Sequence, residues 1–101
     1  MNGGSYEDRV KADARLIILK ELCQQSDGRL NEVSIQHVLD AFAISRTREW
    51  IRTQLNRMAE LEVIRVTEIG TVMVAQLRQA GRHHVERRAF VDGIARPSEV
   101  D

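Results

Sequence analysis

The sequence predicts a mainly α-helical domain with one small β-hairpin, an α+β class, and three observations carry that expectation. Apolar residues recur at three- and four-residue spacing through most of residues 6–61, the signature of helix faces packed on a core. After Leu61-Glu62-Val63 the pattern switches to alternation around Gly70-Thr71, the mark of a hairpin. Residues whose side chains cap helices stand where the helical stretches begin: Ser5, Asn31, and Ser45 or Thr47.

The first helix is expected to start at Tyr6, because Ser5-Tyr6-Glu7-Asp8 resembles a capping box with Asp8 in place of Glu. It should run to about Gln25, where Ser26-Asp27-Gly28 supplies the stop. Val10, Ala14 and Ile17 mark one face, yet Leu16-Ile17-Ile18-Leu19 and Leu22-Cys23 are apolar nearly all the way round. The flanking Lys11-Ala12-Asp13-Ala14-Arg15 and Lys20-Glu21 are good helix formers and decide against a strand. A helix apolar on more than one side points to a core position plus contact with a second copy. Leu16 and Leu19, with Trp50, are the candidate dimer or partner surface.

Asn31 can cap a second helix, in which Ile35, Val38, Leu39 and Phe42 share a face. Ala43-Ile44-Ser45 breaks that pattern, and a third helix then runs through Met58. Stepping about 100° per residue from Ile51 turns Thr47, Leu55 and Met58 inward. Arg46, Glu49, Thr53, Asn56 and Glu60 then face outward, with Arg52 and Arg57 on the shoulders and Trp50 and Leu61 toward one margin. Ile64, Val66 and Ile69 lead into Gly70-Thr71, and Val72 to Leu77 complete the hairpin. From Arg78 a weakly helical segment holds Val85 and Ala89 among arginines, and Asp92-Gly93 and Pro97 punctuate the polar stretch after it. The expected organisation is a flexible leader over 1–5, one domain over 6–90 and a mobile C-terminal tail over 91–101.

The 101 residues, 43% hydrophobic and 30% charged, suffice for one core but not two, and exclude global disorder. Cys23 is the sole cysteine, so no intrachain disulfide forms and a reducing cytoplasm suits the chain. Neither a secretion signal nor a membrane span is expected, because the start lacks a basic segment followed by an apolar run and apolar runs stay short. The formal net charge is +0, but it is patterned: residues 46–57 and 78–96 each carry a surplus of three positive charges. Thirteen of the fifteen basic residues are arginine, and a polyanion would meet those two blocks first.

No catalytic chemistry is legible. The chain lacks a Ser/His/Asp set, a glycine-rich phosphate loop or paired carboxylates in a recognisable context, so neither an enzyme nor a cofactor is expected. His83-His84 are adjacent, hence about 100° apart on a helix, and do not readily share one ion. Cys23 has no partner cysteine at ligand spacing, so no metal is expected.

The order helix, helix, tight turn, helix, hairpin, helix is that of a winged helix-turn-helix. At this point the chain resembles the ArsR/MarR-like small winged-helix regulators, and more narrowly those encoded by Mu-like phages and prophages. The residues that carry the resemblance are Asp13 through Leu19, Leu30-Asn31-Glu32, Val38-Leu39, Ser45-Arg46-Thr47-Arg48, Leu55 through Leu61, and Gly93-Ile94-Ala95-Arg96-Pro97. The resemblance implies a compact dimeric domain that sets its third helix in the major groove of double-stranded DNA and its wing near the adjoining backbone. Carried over by position, Arg46, Arg48, Arg52 and Arg57 become phosphate or guanine contacts, and Thr53 and Asn56 reach base edges. The chain departs from the pattern in a wing that holds Glu68 and no basic residue between Val66 and Leu77, and in Glu49 and Glu60 on the outward face. The expectation is a phage or prophage transcriptional regulator acting as a DNA-binding homodimer. The alternative is a winged-helix module that binds a protein partner through the first helix, Trp50 or the tail.

Overall fold

The computed structural model describes residues 5–98. It is an α+β fold of four helices and a three-stranded antiparallel sheet, in the order α1 (Tyr6–Gln24), β1 (Arg29–Asn31), α2 (Glu32–Ala41), α3 (Arg48–Glu60), β2 (Ile64–Ile69), β3 (Val72–Leu77) and α4 (Gln79–Val85). The expected leader lies almost wholly outside the described residues.

α1 opens on the expected box: the Asp8 amide donates to the Ser5 hydroxyl at 3.1 Å and the Ser5 amide to the Asp8 carboxylate at 3.3 Å. Its apolar run divides by position. Ala14, Ile18, Leu19 and Leu22 are buried in the core, while Leu16 and Ile17 stay half-buried at its edge. Leu19 has no exposed surface, so it is core and not the partner surface expected of it.

The sheet order is β1-β3-β2, with β3 in the middle. β1 was not foreseen, since three residues are too few to display alternation. Leu30 of β1 and Val66 of β2 both stand opposite the buried Ala75 of β3. The hairpin turns through Gly70-Thr71, where Gly70 adopts a φ of +63° with open space around it.

Three helices stop without a glycine. Ala43, Glu62 and Arg87 occupy the left-handed region at φ of 62°, 65° and 61°, each directly after a helix cap. After α2 the Ala43 amide donates to the Asp40 carbonyl and the Ile44 amide to the Leu39 carbonyl, both at 2.9 Å, the paired bonds of a Schellman motif. The same pair recurs at Glu62-Val63 and at Arg87-Arg88. α3 starts at Arg48 with Thr47, one of the two expected caps, as its N-cap, the hydroxyl accepting the Trp50 amide at 3.1 Å; Thr47 is therefore exposed and not inward as the helical wheel placed it. Phe42 is the C-cap of α2 and 59% exposed, off the buried face it was expected to share.

The C-terminal segment also differs from the mobile tail expected of it. Within 91–98, Ile94 is buried in the core and the Ala95 amide donates to the Ala12 carbonyl at 3.1 Å. His84, itself fully buried, joins this segment to α4: its Nδ1 accepts the Val91 amide at 3.0 Å, and its Nε2 lies 2.9 Å from the Ala95 carbonyl. With Nδ1 accepting, Nε2 carries the proton and donates. Among the described residues, no helix is long and apolar enough to cross a membrane.

Two substitutions test this packing in opposite directions. A Cβ at Gly81 would stand 2.5 Å from the Val63 carbonyl oxygen and 3.0 Å from Leu19 and Leu77, so Gly81→Ala should cost about 1–3 kcal/mol in chemical denaturation. Ala43→Gly should instead gain about 0.5–1 kcal/mol by relieving the left-handed backbone, and a lower melting temperature would refute that account.

Candidate functional site

α3 is amphipathic, with Ile51, Gln54, Leu55 and Met58 buried and its other side facing water. The six residues expected to meet DNA, Arg46 just before α3 and the other five on it, do not form one uncommitted face. The structure divides them into anchors and exposed groups.

Arg52 is the principal anchor. Its Nε and an Nη donate to the two carboxylate oxygens of Glu32 at 2.6 and 2.7 Å, and the same Nη reaches the Thr71 carbonyl at 2.7 Å. Three of its five N–H donors are thereby used. Glu32 has no exposed surface; it also accepts the Met73 amide at 2.6 Å, and Arg48 approaches within 3.9 Å. The paired Arg52 guanidinium, helped by the Met73 amide and the charges of Arg52 and Arg48, outweighs the cost of burial and holds the Glu32 carboxyl down at about 2. One carboxylate thus joins the first turn of α2, the middle of α3 and the β2–β3 hairpin.

Arg46 is a second anchor. It donates to Glu7 of α1 at 3.0 Å and lies over the Trp50 ring, 5.3 Å from its centroid. The Trp50 indole N–H donates to the other Glu7 oxygen at 2.9 Å. The hydrogen bond from Arg46, then that from Trp50, lowers the Glu7 pKa below the ordinary carboxylate value. Trp50 is therefore a half-buried clasp between α3 and α1.

The remaining residues are exposed. The Arg48 side chain is 44% accessible and only loosely associated with Glu32. Thr53 donates its hydroxyl to the Glu49 carbonyl at 3.0 Å, and Asn56 stands exposed beside it along the helix. Arg57 pairs with Glu60 at 3.1 Å, a surface pair worth at most about 1 kcal/mol that an external anion can displace. The exposed set is Arg48, Thr53, Asn56 and Arg57, interrupted by Glu49 and Glu60. Such a face can donate to phosphates through its arginines and present hydrogen-bonding side chains between them.

Sequence reasoning missed Glu32 as a buried residue, although a signal existed. Glu32, Ile35 and Leu39 share i, i+3, i+7 spacing, which puts the acid on the core face of α2. Arg15 was also missed: its Nε donates to the buried Gln54 at 3.0 Å and an Nη to the Gly93 carbonyl at 2.8 Å, tying α1 to α3 and to the C-terminal segment. Among the described residues, no group of three or more metal-ligating side chains comes together.

The Glu32 site predicts a pH dependence with a definite sign. Its folded pKa is depressed from 4.5 to about 2, so its stabilisation is complete above 4.5 and is lost as the pH falls toward 2. Glu32→Gln should flatten the acid limb of a stability–pH profile across that window. Arg52→Ala, which strands a buried carboxylate, should lower the denaturation midpoint at neutral pH, and by more than Glu32→Gln does; an unchanged midpoint would refute the anchor role.

No protein-family model matches the chain, and no solved structure matches it. It is similar to a protein of Escherichia phage Mu named "Uncharacterized protein gp26", with 32% identity over 90 residues that span 89% of this chain and 93% of the relative. Identity of that degree over nearly the whole of both chains places this protein in the family of the phage Mu protein gp26.

Proposed function

We propose that this protein is a phage-encoded winged helix-turn-helix DNA-binding protein, a transcriptional regulator that acts as a homodimer. In this reading α2 and α3 are the helix-turn-helix, α3 is the reading helix, and the β2–β3 hairpin is the wing. The observation that carries it is the division of labour on α3: Arg52 ties the helix to α2 and to the hairpin, while Arg48, Thr53, Asn56 and Arg57 stay exposed on the same element. A reading helix must be fixed relative to its supports before its outward side chains can select a sequence.

A helix of 13 residues is about 20 Å long and enters the major groove end-on or along it. Asn56 suits a bidentate contact with adenine, Thr53 suits a base edge or thymine methyl, and Arg48 and Arg57 suit phosphate or guanine. Glu49 and Glu60 serve as selectors, accepting from cytosine where one is presented and repelling backbone elsewhere. With a net charge of +0, one copy has little non-specific attraction for DNA. Two copies present two helices to a palindromic site and double the local positive charge. Membership in a phage protein family fits a regulator carried by a mobile element.

A second reading, a winged-helix module that binds a protein, is favoured by one observation. Tyr6, 80% exposed, and Phe42, 59% exposed, line an open hollow on α1 with Leu16, Ile17 and Ile44.

Fluorescence anisotropy with duplexes from the host phage genome and with random duplexes, over a series of salt concentrations, separates the two. Asn56→Ala should cost about tenfold in affinity for the preferred duplex and leave random duplexes unaffected. Arg48→Ala and Arg57→Ala should weaken binding to all duplexes alike and each reduce the salt slope by about one. Absence of any complex at low salt would sink the DNA reading and leave the protein partner.

A further inference from the structure

The outer side of α1 carries a stripe whose residues pair off about its midpoint. The residues on it are Arg9, Asp13, Leu16, Ile17, Lys20 and Gln24, all lining two adjoining hollows of about 610 and 410 Å³. About the midpoint between Leu16 and Ile17, Leu16 matches Ile17, Asp13 matches Lys20, and Arg9 matches Gln24. Asp13, Lys20 and Arg9 are exposed, and among the described residues none of them forms a salt bridge. Phe42 lines both hollows and therefore flanks the apolar centre of the stripe, with most of its own surface open.

We propose that α1 is the seam of a two-fold dimer, packed antiparallel on its copy, with Leu16 against Ile17 of the partner subunit and Asp13 paired with Lys20 of the partner subunit. This deepens the homodimer proposed above and rests on that reading. A two-fold axis sets the same surface on both copies, so each pairing occurs twice. The register then has an apolar centre between two salt bridges, with Phe42 of each copy extending the centre sideways. Neighbouring registers fail on charge. Sliding one turn toward the N-terminus sets Asp13 against Ile17 of the partner subunit. Sliding one turn the other way sets Lys20 against Ile17 and Glu21 against Leu16 of the partner subunit. Each would bury a charge against an apolar residue, which is costly. Two turns away, Asp13 meets its own copy in one direction and Lys20 meets its own copy in the other. Only the register centred between Leu16 and Ile17 puts apolar on apolar and opposite charges together.

Sedimentation equilibrium without DNA tests the seam. The wild-type chain should be a reversible dimer. Asp13→Lys alone and Lys20→Asp alone each introduce two like-charge contacts across the axis and should raise the dissociation constant about tenfold or more. The double swap, D13K with K20D, should return it to near the wild-type value, and mixing the two single variants should regenerate a dimer. Both positions are exposed, so far-UV circular dichroism should stay unchanged in every variant. A wild-type dimer indifferent to both single swaps, or a double swap that fails to restore it, overturns the seam and leaves the dimer reading standing. A wild-type chain that stays monomeric at its highest soluble concentration overturns both. DNA affinity is measured separately and decides neither outcome.

Discussion

A carboxylate with no access to water lies where α2, α3 and the β2–β3 hairpin meet, and the placement of all three elements depends on it. Burying an ionised glutamate is costly unless it is paired with an opposite charge and hydrogen-bonded. Glu32 meets that requirement with both forks of Arg52 and the Met73 amide. Well-packed apolar residues could stabilise the same junction equally well, so the pair's distinctive contribution is geometric. A planar guanidinium gripping a planar carboxylate accepts one orientation, and the bond from Arg52 to the Thr71 carbonyl extends that constraint to the hairpin turn. An apolar patch would let α3 slide by a fraction of a turn. This junction does not.

The same economy of fixed orientation governs α1. Its inner side fills the core through Ile18, Leu19 and Leu22, and its N-terminal Glu7 holds both Arg46 and Trp50 ahead of and within α3. Arg15 reaches from its middle to Gln54 and to the Gly93 carbonyl, so that the C-terminal segment closes over the helix and buries Ile94. With core, α3 and C-terminal segment all resting on it, α1 keeps the Leu16–Ile17 edge, on the same hollow as the exposed Tyr6, open to a neighbour. That edge is where its apolar surplus lies.

How much of the fold was legible in the sequence depended on the range of the interaction involved. The capping residues Ser5, Asn31 and Thr47, the helical faces and the Gly70-Thr71 turn are local, and local signals were readable. Helix ends were harder, because Ala43, Glu62 and Arg87 take the left-handed conformation usually sought only at glycine. Strand β1 is three residues long and exists because β3 offers it an edge, a fact of pairing invisible in Arg29-Leu30-Asn31. The C-terminal segment looked polar and punctuated, yet it is held by the buried Ile94, by the buried His84 on the Val91 amide and Ala95 carbonyl, by the hydrogen bond from the Ala95 amide to the Ala12 carbonyl and by Arg15 on the Gly93 carbonyl. A single apolar residue among polar neighbours carries little periodic signal.

The candidate site was legible in its address but not in its inventory. The helical wheel placed Thr53 and Asn56 outward correctly, and it placed Arg52 on a shoulder, where an arginine can turn either to solvent or to the core. What turned it inward is Glu32, 20 residues earlier and on another helix, so no property of α3 alone could have revealed the choice. The consequence for function is a subtraction. Of the four arginines that give residues 46–57 their positive surplus, two are spent on Glu7 and Glu32, leaving Arg48 and Arg57 among exposed acids. A face with so little free positive charge cannot rely on electrostatic attraction to any polyanion. In the proposed DNA-binding dimer, selectivity would therefore come from the neutral hydrogen-bonding groups of Thr53 and Asn56, and from a second copy that supplies the same modest face again at a fixed distance.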